Sequence, residues 1–260
     1  AEDGKKMSKS LNNYPPLEDV LYKYGADALR YYLMSSTAVK ADDLKFSEKG
    51  VDESMKKIVM RLDNVITFYE MYKDDSIAPS NSSSHILDKW ILARLAQTTS
   101  EITKALEGYE LDKASRPLMD FVDDLSTWYL RRSRDRLKSD GEDKNLALAT
   151  LRYSLREFAK VMAPIMPFKA EDTYLRTREM NEVESVHLCV WPTNTSFDES
   201  ILVGMKEVRD VVTKALEVRA KEAIKVRQPI QTLEVKIALA DEYKDIIKDE
   251  DGFEAALVTK

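Results

Sequence analysis

The sequence predicts a mainly α-helical fold, in which a short N-terminal region precedes an antiparallel helical bundle and a small α+β C-terminal appendage. Only 7 glycines and 8 prolines occur among 260 residues, which favours long uninterrupted helices over a turn-rich β fold. Apolar residues recur every three or four positions through most of the chain, as they do in amphipathic helices. A chain of this length can bury the core of one large domain or of two modest ones.

The N-terminal region is predicted to form two short helices after a polar loop. Pro15 and Pro16 open the first helix, because proline is favoured in the first turn, and Gly25 ends it as a left-handed C-cap. Asp27 can then accept hydrogen bonds from the free amides at the start of a second helix over residues 28–35.

The central part of the chain is predicted to be a bundle of long helices. The apolar spacing indicates a helix over residues 51–69, a helix over residues 86–108, a helix over residues 112–138 and a helix over residues 148–162 that stops before Pro164. The polar residues 74–84 are predicted to be a linker. Up-and-down helices that short loops connect form a bundle.

The pattern changes after Glu179. Residues 187–191 are partly β-branched and closed by a proline, which predicts an extended segment, and residues 198–223 have the spacing of a long helix. Residues 233–237 alternate as a strand does. We therefore expect three parts: residues 1–48, the helical bundle 49–180 and the C-terminal region 181–260.

Composition narrows the classes of protein that the sequence fits. No apolar run approaches about 18–20 residues, and the N-terminal residues lack the apolar core of a signal peptide, so we expect neither a membrane span nor a signal peptide. A reducing cytoplasm is the expected compartment for a chain with a single cysteine. Cys189 is the only cysteine, which excludes an internal disulfide, and the two histidines lie far apart, so we expect no metal site. The net charge of −6 by itself argues against nucleic acid, but charge patches matter more than averages.

The N-terminal loop carries the sharpest functional signal. Its residues 6–10, here called the lysine loop, are Lys6, Met7, Ser8, Lys9 and Ser10. Two ammonium groups three positions apart, with hydroxyls and free loop amides between them, suit the oxygens of a triphosphate. Five residues alone also fit a solvated lysine-rich loop.

The lysine loop and the residues behind it resemble the class I aminoacyl-tRNA synthetases, in which KMSKS is the second signature sequence. Residues 11–15, Leu-Asn-Asn-Tyr-Pro, and residues 24–30, Tyr-Gly-Ala-Asp-Ala-Leu-Arg, continue as the stem-contact region of that family does. The resemblance implies that Lys6 and Lys9 are catalytic and that residues 6–10 bind ATP with Mg²⁺. A mobile lysine loop can stabilise the charge that builds on pyrophosphate when an amino-acid carboxylate attacks the α-phosphorus.

Within that family the chain is similar to the isoleucyl branch. Asn13, Tyr14 and Pro15 look like the isoleucyl sequence, whereas valyl and leucyl relatives usually have a Gly-Asn-Val type of sequence there. Residues 121–134, 184–192 and 225–229 also match the isoleucyl branch in order. The resemblance implies that the chain is part of a ligase that attaches isoleucine to tRNA(Ile) with ATP. This chain alone is expected to be inactive, because it lacks the rest of the active site. The corresponding region of a valyl or leucyl enzyme is the alternative.

Residues 128–138, here called the arginine strip, contain four arginines and one lysine against a single acid. On a helix Trp128 shares a face with Arg131 and Arg132, and Arg134 and Lys138 extend the Arg131 row. Guanidinium groups bind phosphates and an indole ring can stack on an unpaired base. The arginine strip therefore predicts an RNA surface in which Trp128, Arg131, Arg132 and Arg134 contact tRNA.

Structural roles compete with this interpretation of the arginine strip. Trp128 continues the apolar row from Phe121 and Leu125, and the neighbouring arginines could pair with Asp123, Asp124 or Asp135. In this alternative the chain is a helical scaffold with no RNA affinity of its own, which the acidic net charge favours.

A second basic patch lies at the predicted helix-to-strand junction. Lys225 and Arg227 are expected to contact tRNA there, although Glu217 and Glu222 interrupt the basic residues of the preceding helix, so a solvated helix face is the alternative. We expect the protein to be a monomer whose partners are tRNA(Ile), ATP and isoleucine.

Overall fold

The computed structural model describes residues 1, 4–193, 196–225, 228, 233–235, 240–251 and 257–259, and the described part is mainly helical, as predicted. Its helices are α1 (Leu17–Tyr24), α2 (Ala26–Met34), α3 (Glu48–Ser54), α4 (Arg61–Tyr72), α5 (Ile86–Glu107), α6 (Leu111–Asp123), α7 (Arg131–Lys138), α8 (Glu142–Met162), α9 (Pro167–Thr177), α10 (Glu199–Lys221) and α11 (Asp241–Asp251). Two strands, β1 (Leu233–Val235) and β2 (Leu257–Thr259), pair in parallel. Among the described residues no helix is both long and apolar enough to cross a membrane.

Two long helices contain π-helical turns. Met55–Met60 joins α3 to α4, and Asp124–Leu130 joins α6 to α7, so each pair is continuous. The predicted helices over residues 51–69 and 112–138 are confirmed as continuous, but their spacing did not indicate the π turns. Each π turn inserts an extra residue and changes which side chains face the core after it.

Helix α5 lies at the centre of the bundle and packs against α6, α8 and α10. Trp90 and Ile91 of α5 are buried, and the Phe121 ring of α6 lies 4.6 Å, centroid to centroid, from the Phe158 ring of α8. A smaller cluster of buried side chains packs the N-terminal helices onto α3. It consists of Val20, Tyr24, Ala28, Leu29 and Val51. The predicted antiparallel bundle is therefore confirmed, with a separate small core under the N-terminal region.

Helix α9 was not predicted. Pro164 and Pro167 indicated the end of α8, but Pro167 occupies the first turn of α9, where a missing amide hydrogen costs nothing. The buried side chains of Ala170 and Tyr174 then give α9 its core face. Helix α11, which packs against α10, was also missed.

Asp27 caps a different helix from the one predicted. Gly25, with φ of 80°, ends α1 and precedes α2, whereas Asp27 lies in the first turn of α2. Its Oδ2 accepts a hydrogen bond from the backbone amide of Lys169, near the start of α9. Arg30 donates to the carbonyls of Ile165 and Pro164, at 3.0 and 3.1 Å. These contacts join the N-terminal region to the bundle, and burial raises the pKa of Asp27.

The C-terminal region agrees with the predictions only in part. Val186–Leu188 is a short 3₁₀ helix rather than extended chain, because the Ser185 hydroxyl accepts from the His187 amide and caps the turn. Helix α10 is confirmed, with Asp198 as its N-cap. Strand β1 begins at Leu233 as predicted, and residues 236 and 237 lie outside the described residues. The α+β appendage stays a prediction, since two strands of three residues do not establish it.

Candidate nucleic-acid interface and lysine loop

The lysine loop lies at the surface. Lys6 and Ser10 are exposed, Met7 is 37% exposed and Ser8 is half-buried, whereas the side chain of Lys9 lies outside the described part of the structure. The hydroxyls of Ser8 and Ser10 are 2.7 Å apart and share a hydrogen bond. The loop therefore presents an ammonium group and two hydroxyls to solvent, as a site for phosphate oxygens requires.

The prediction that the amides of the lysine loop are free is wrong for Ser8. The Ser8 amide is not free for a phosphate, because it donates to Oδ1 of Asn13 at 2.9 Å. The Asn13 amide group in turn donates to the Lys6 carbonyl at 3.1 Å. Sequence reasoning missed Asn13 as a part of the loop because it lies outside the five signature residues.

Helix α7 divides the arginine strip into two faces. Arg131, Arg134 and Lys138 are exposed, whereas Ser133 and Leu137 are buried. Residues three and seven positions apart lie on one side of a helix, so the three cations form one row at the surface. This exposed row agrees with the predicted Arg131–Arg134–Lys138 row and is the most cationic surface of α7.

Trp128 and Arg132 lie on the other face and are half-buried. The Arg132 guanidinium carbon is 3.5 Å from the centroid of the Trp128 ring, which is a stacked cation–π contact. The indole N–H donates to the Met205 sulfur at 3.2 Å, and Nη1 of Arg132 donates to the Ile246 carbonyl at 3.1 Å. In this arrangement Arg132 covers one face of the ring, and both side chains pack against helices α10 and α11.

Arg136, the remaining arginine of the strip, has a structural role. It binds the buried carboxylate of Asp88 through two hydrogen bonds of 3.0 and 2.9 Å, and it binds Asp143 through two more of 2.9 and 2.8 Å. Tyr129 and Ser83 also donate to Asp88, at 2.8 and 2.6 Å. The hydrogen bond from Arg136 lowers the pKa of Asp143, and burial raises the pKa of Tyr129.

Two of the three aspartates that the sequence offered as partners for the neighbouring arginines bind arginines of other helices. Asp123 pairs with Arg61 of α4, and the buried Asp124 pairs with Arg94 of α5 and Arg209 of α10. Arg94 Nε lies 2.8 Å from Asp124 Oδ2. These ion pairs tie α4, α5 and α10 to the junction between α6 and the π turn.

A cleft of mixed charge that sequence reasoning missed opens between α5 and α10. Its volume is about 470 Å³, and its charged lining residues are Arg94, Lys206, Arg209, Asp124, Glu199 and Asp210. The guanidinium carbon of Arg209 is 5.1 Å from the centroid of the Trp128 ring. The cleft is formed by two helices that are separated by about 90 residues in sequence, so no local sequence pattern predicts it.

The second basic patch is described only in part. Lys225 is exposed, and Arg227 lies outside the described residues. The buried Arg219 donates from Nη1 to the carbonyls of Lys225 and Gln228, at 3.0 and 2.9 Å. Arg219 therefore holds the turn after α10 and orders the backbone that carries Lys225.

Comparison with known protein families finds two matches, one to the N-terminal region with the lysine loop and one to the helical bundle and part of the C-terminal region. Residues 88–237 match the family described as the anticodon-binding domain of tRNA ligase, and residues 1–47 match the tRNA synthetases of class I (I, L, M and V). The chain is 41% identical over 243 residues to an isoleucine–tRNA ligase of Chlamydia trachomatis, which covers 90% of the chain and 23% of that protein. It is 37% identical over 265 residues to the corresponding ligase of Chlamydia abortus, covering 96% of the chain and 25% of that protein.

The chain thus spans about a quarter of the length of the relatives it matches. Among solved structures, the ternary complex of the Agrobacterium radiobacter K84 agnB2 LeuRS with tRNA and LeuAMS aligns with a TM-score of 0.53 at 20% identity. That alignment covers 76% of this chain and 23% of the other, and it shows a shared fold.

Proposed function

Since the chain belongs to the family of anticodon-binding domains of tRNA ligases, we propose that it is the part of an isoleucine–tRNA ligase that carries the lysine loop and binds the anticodon arm of tRNA(Ile). The 41% identity to an isoleucine–tRNA ligase over 90% of the chain is the observation that carries this proposal. In the whole ligase, isoleucine is activated with ATP and then transferred to tRNA in the cytoplasm, where the thiol of Cys189 stays reduced. The monomeric state is part of the same proposal.

The lysine loop serves the first step. Lys6 and Lys9 bind the β- and γ-phosphates of ATP, and Met7, Ser8 and Ser10 complete the ATP-binding loop. The carboxylate of isoleucine attacks the α-phosphorus, the bond to the bridging oxygen breaks, and the negative charge moves onto pyrophosphate. The exposed ammonium group of Lys6 stabilises that charge more in the transition state than in the ground state.

In this proposal Mg²⁺ binds together with ATP. Among the described residues no group of three or more His, Cys, Asp and Glu side chains is arranged to hold a metal ion. In this proposal the triphosphate oxygens of ATP carry the ion.

The exposed row of the arginine strip supports tRNA binding. Arg131 and Arg134 point to solvent from one face of α7, and Lys225 lies exposed on the second basic patch. Trp128 and Arg132 remain in the proposed surface, but they stack on each other, so an RNA base would have to meet the pair rather than a bare ring. Arg227 is proposed from the sequence alone.

The proposal keeps three functional parts. Residues 1–48 are the lysine loop with the stem-contact region, residues 49–180 are the anticodon-binding bundle, and residues 181–260 are the C-terminal region. The match of residues 1–47 to class I synthetases supports the first boundary.

A scaffold without RNA affinity of its own is the second candidate, and the engagement of Arg132 and Arg136 in internal contacts favours it. Binding of the chain to tRNA(Ile) and to a tRNA with a swapped anticodon, at two salt concentrations, separates the candidates. Salt-sensitive binding that weakens with the swapped anticodon supports the anticodon-binding proposal, because phosphate contacts make log affinity fall with log salt. No binding at low salt supports the scaffold, and pyrophosphate exchange by this chain alone would contradict its proposed inactivity.

A further inference from the structure

The side chain of Asn13 closes the lysine loop on itself. Its Oδ1 accepts from the Ser8 amide at 2.9 Å, and its Nδ2 donates to the Lys6 carbonyl at 3.1 Å. These two backbone groups flank Met7, so one carboxamide fixes both sides of that residue. Asn13 is half-buried while Lys6 is exposed, so the contact holds the backbone and leaves the ammonium group accessible.

The chain between the loop and Asn13 is shaped so that this side chain returns to the loop. Residues Lys9–Leu11 form one 3₁₀ turn, which the hydrogen bond from the Leu11 amide to the Ser8 carbonyl closes at 3.1 Å. Asn12 then has φ of 46°, in the left-handed region that asparagine tolerates better than most residues. This reversal places Asn13 beside residues that precede the turn.

We propose that Asn13 is the positioning residue of the lysine loop: its carboxamide sets the backbone from which Lys6 and Lys9 reach the triphosphate. The inference rests on the proposed function of the loop. A carboxamide carries an acceptor and a donor on one planar group, which neither a carboxylate nor a methyl group supplies. Groups that are fixed before the reaction stabilise transition-state charge without having to be ordered at that moment.

The test uses the full-length ligase that contains this chain, with Asn13→Ala and Asn13→Asp. Each variant should lower kcat for isoleucine-dependent pyrophosphate exchange by about 10-fold or more, as the loss of one or two hydrogen bonds predicts. The KM for isoleucine and the rate of transfer from preformed isoleucyl adenylate to tRNA should stay unchanged, because pyrophosphate has already left. Asn12→Asp adds the same charge one residue earlier, where the exposed side chain makes no hydrogen bond within the described residues, and it should keep full exchange activity.

Lys6→Ala separates failure of the inference from failure of the proposed function. If Lys6→Ala lowers exchange and both Asn13 variants keep it, the positioning role is overturned while the role of the loop stands. If both Asn13 variants lose exchange and transfer equally and melt at a lower temperature, Asn13 serves folding alone and the inference is overturned. Full exchange activity in Lys6→Ala would overturn the role of the loop itself, and the inference with it.

Discussion

Replacement of Asp88 by alanine should cost much more stability than the same replacement of Asp143, although both carboxylates bind Arg136. The side chain of Asp88 is fully buried and accepts two hydrogen bonds from Arg136, one from Tyr129 and one from Ser83. The side chain of Asp143 is 53% exposed and accepts two hydrogen bonds from Arg136. The pair therefore compares a buried and an exposed partner of one guanidinium group.

The expected magnitudes follow from what each change leaves behind. Removal of one partner from a buried ion pair costs about 3–5 kcal/mol, because the other charge stays buried. Arg136 keeps Asp143 in the Asp88→Ala variant, so the cost should lie near the lower end, about 3 kcal/mol. Asp143→Ala removes an exposed pair and should cost below about 1 kcal/mol.

Urea unfolding followed by far-ultraviolet circular dichroism measures the difference. With a slope of about 2–3 kcal/mol per molar urea, the midpoint of Asp88→Ala should lie roughly 1 M below that of the original chain, and the midpoint of Asp143→Ala about 0.3 M below it. Because Arg136 anchors α7, Asp88→Ala should also weaken tRNA binding through Arg131 and Arg134. Equal midpoints for the two variants would refute the reasoning from burial.

Three further changes test other parts of the structure. Nδ1 of His85 accepts a hydrogen bond from the Leu87 amide at 3.2 Å, and burial and the nearby Arg136 lower the pKa of His85 from 6.5. The contribution of neutral His85 to stability is therefore complete above pH 6.5 and is lost as the pH falls through the lowered pKa. His85→Asn keeps the cap, so its melting temperature should not show this loss between about pH 7 and 5. Gly204→Ala would place a Cβ 2.6 Å from Cζ of Tyr243, so it should destabilise the chain by about 1–3 kcal/mol and speed amide exchange in α11. Arg134→Ala should weaken tRNA binding and reduce the slope of log affinity against log salt by about 1, as titration at several salt concentrations would measure.

Matched substitutions control these predictions. His187→Asn changes the exposed histidine and should leave the pH profile intact, and Gly108→Ala adds a Cβ whose nearest neighbour is 3.4 Å away and should be tolerated. Lys104→Ala removes an exposed cation from the C-terminal turn of α5 and should leave the salt slope unchanged. A change in α11 exchange with Gly108→Ala, or an unaltered salt slope with Arg134→Ala, would contradict the corresponding assignment.

Much of the bundle could be predicted because its helices bury one face each. The apolar spacing over residues 86–108 gave α5 to within a residue, and Gly108 ends it. Helix α9 was not predicted, because a proline can end one helix or begin another with the same fixed φ. Only the ten residues after the proline distinguish a helix end from a helix start. The contact of Asp27 was not predicted, because its partner Lys169 lies 142 residues away in sequence. A local sequence pattern cannot show that a side chain of one helix caps another helix.

The candidate site was less predictable than the fold, and the π turn before α7 shows why. A helical wheel puts Trp128 on one face with both Arg131 and Arg132, yet the structure stacks Trp128 on Arg132 and leaves Arg131 exposed. Spacing alone cannot choose between residues three and four positions on, because both are neighbours on a helix. The choice depends on α10 and α11, which cover the Arg132 side.

The location of the acidic residues decides how the net charge of −6 is interpreted. This charge favours the scaffold alternative only if the acids lie near the exposed row of Arg131, Arg134 and Lys138. Asp88 and Asp124 are buried in ion pairs with arginines, and Asp123 pairs with Arg61. Each of these carboxylates is neutralised within the fold, so it contributes little to the field at the exposed face of α7. Asp135, Glu242 and Asp245, however, are exposed and line a pocket together with Arg131 and Arg132. The salt dependence of tRNA binding, rather than the isoelectric point, is therefore the measurement that decides between a binding surface and a scaffold.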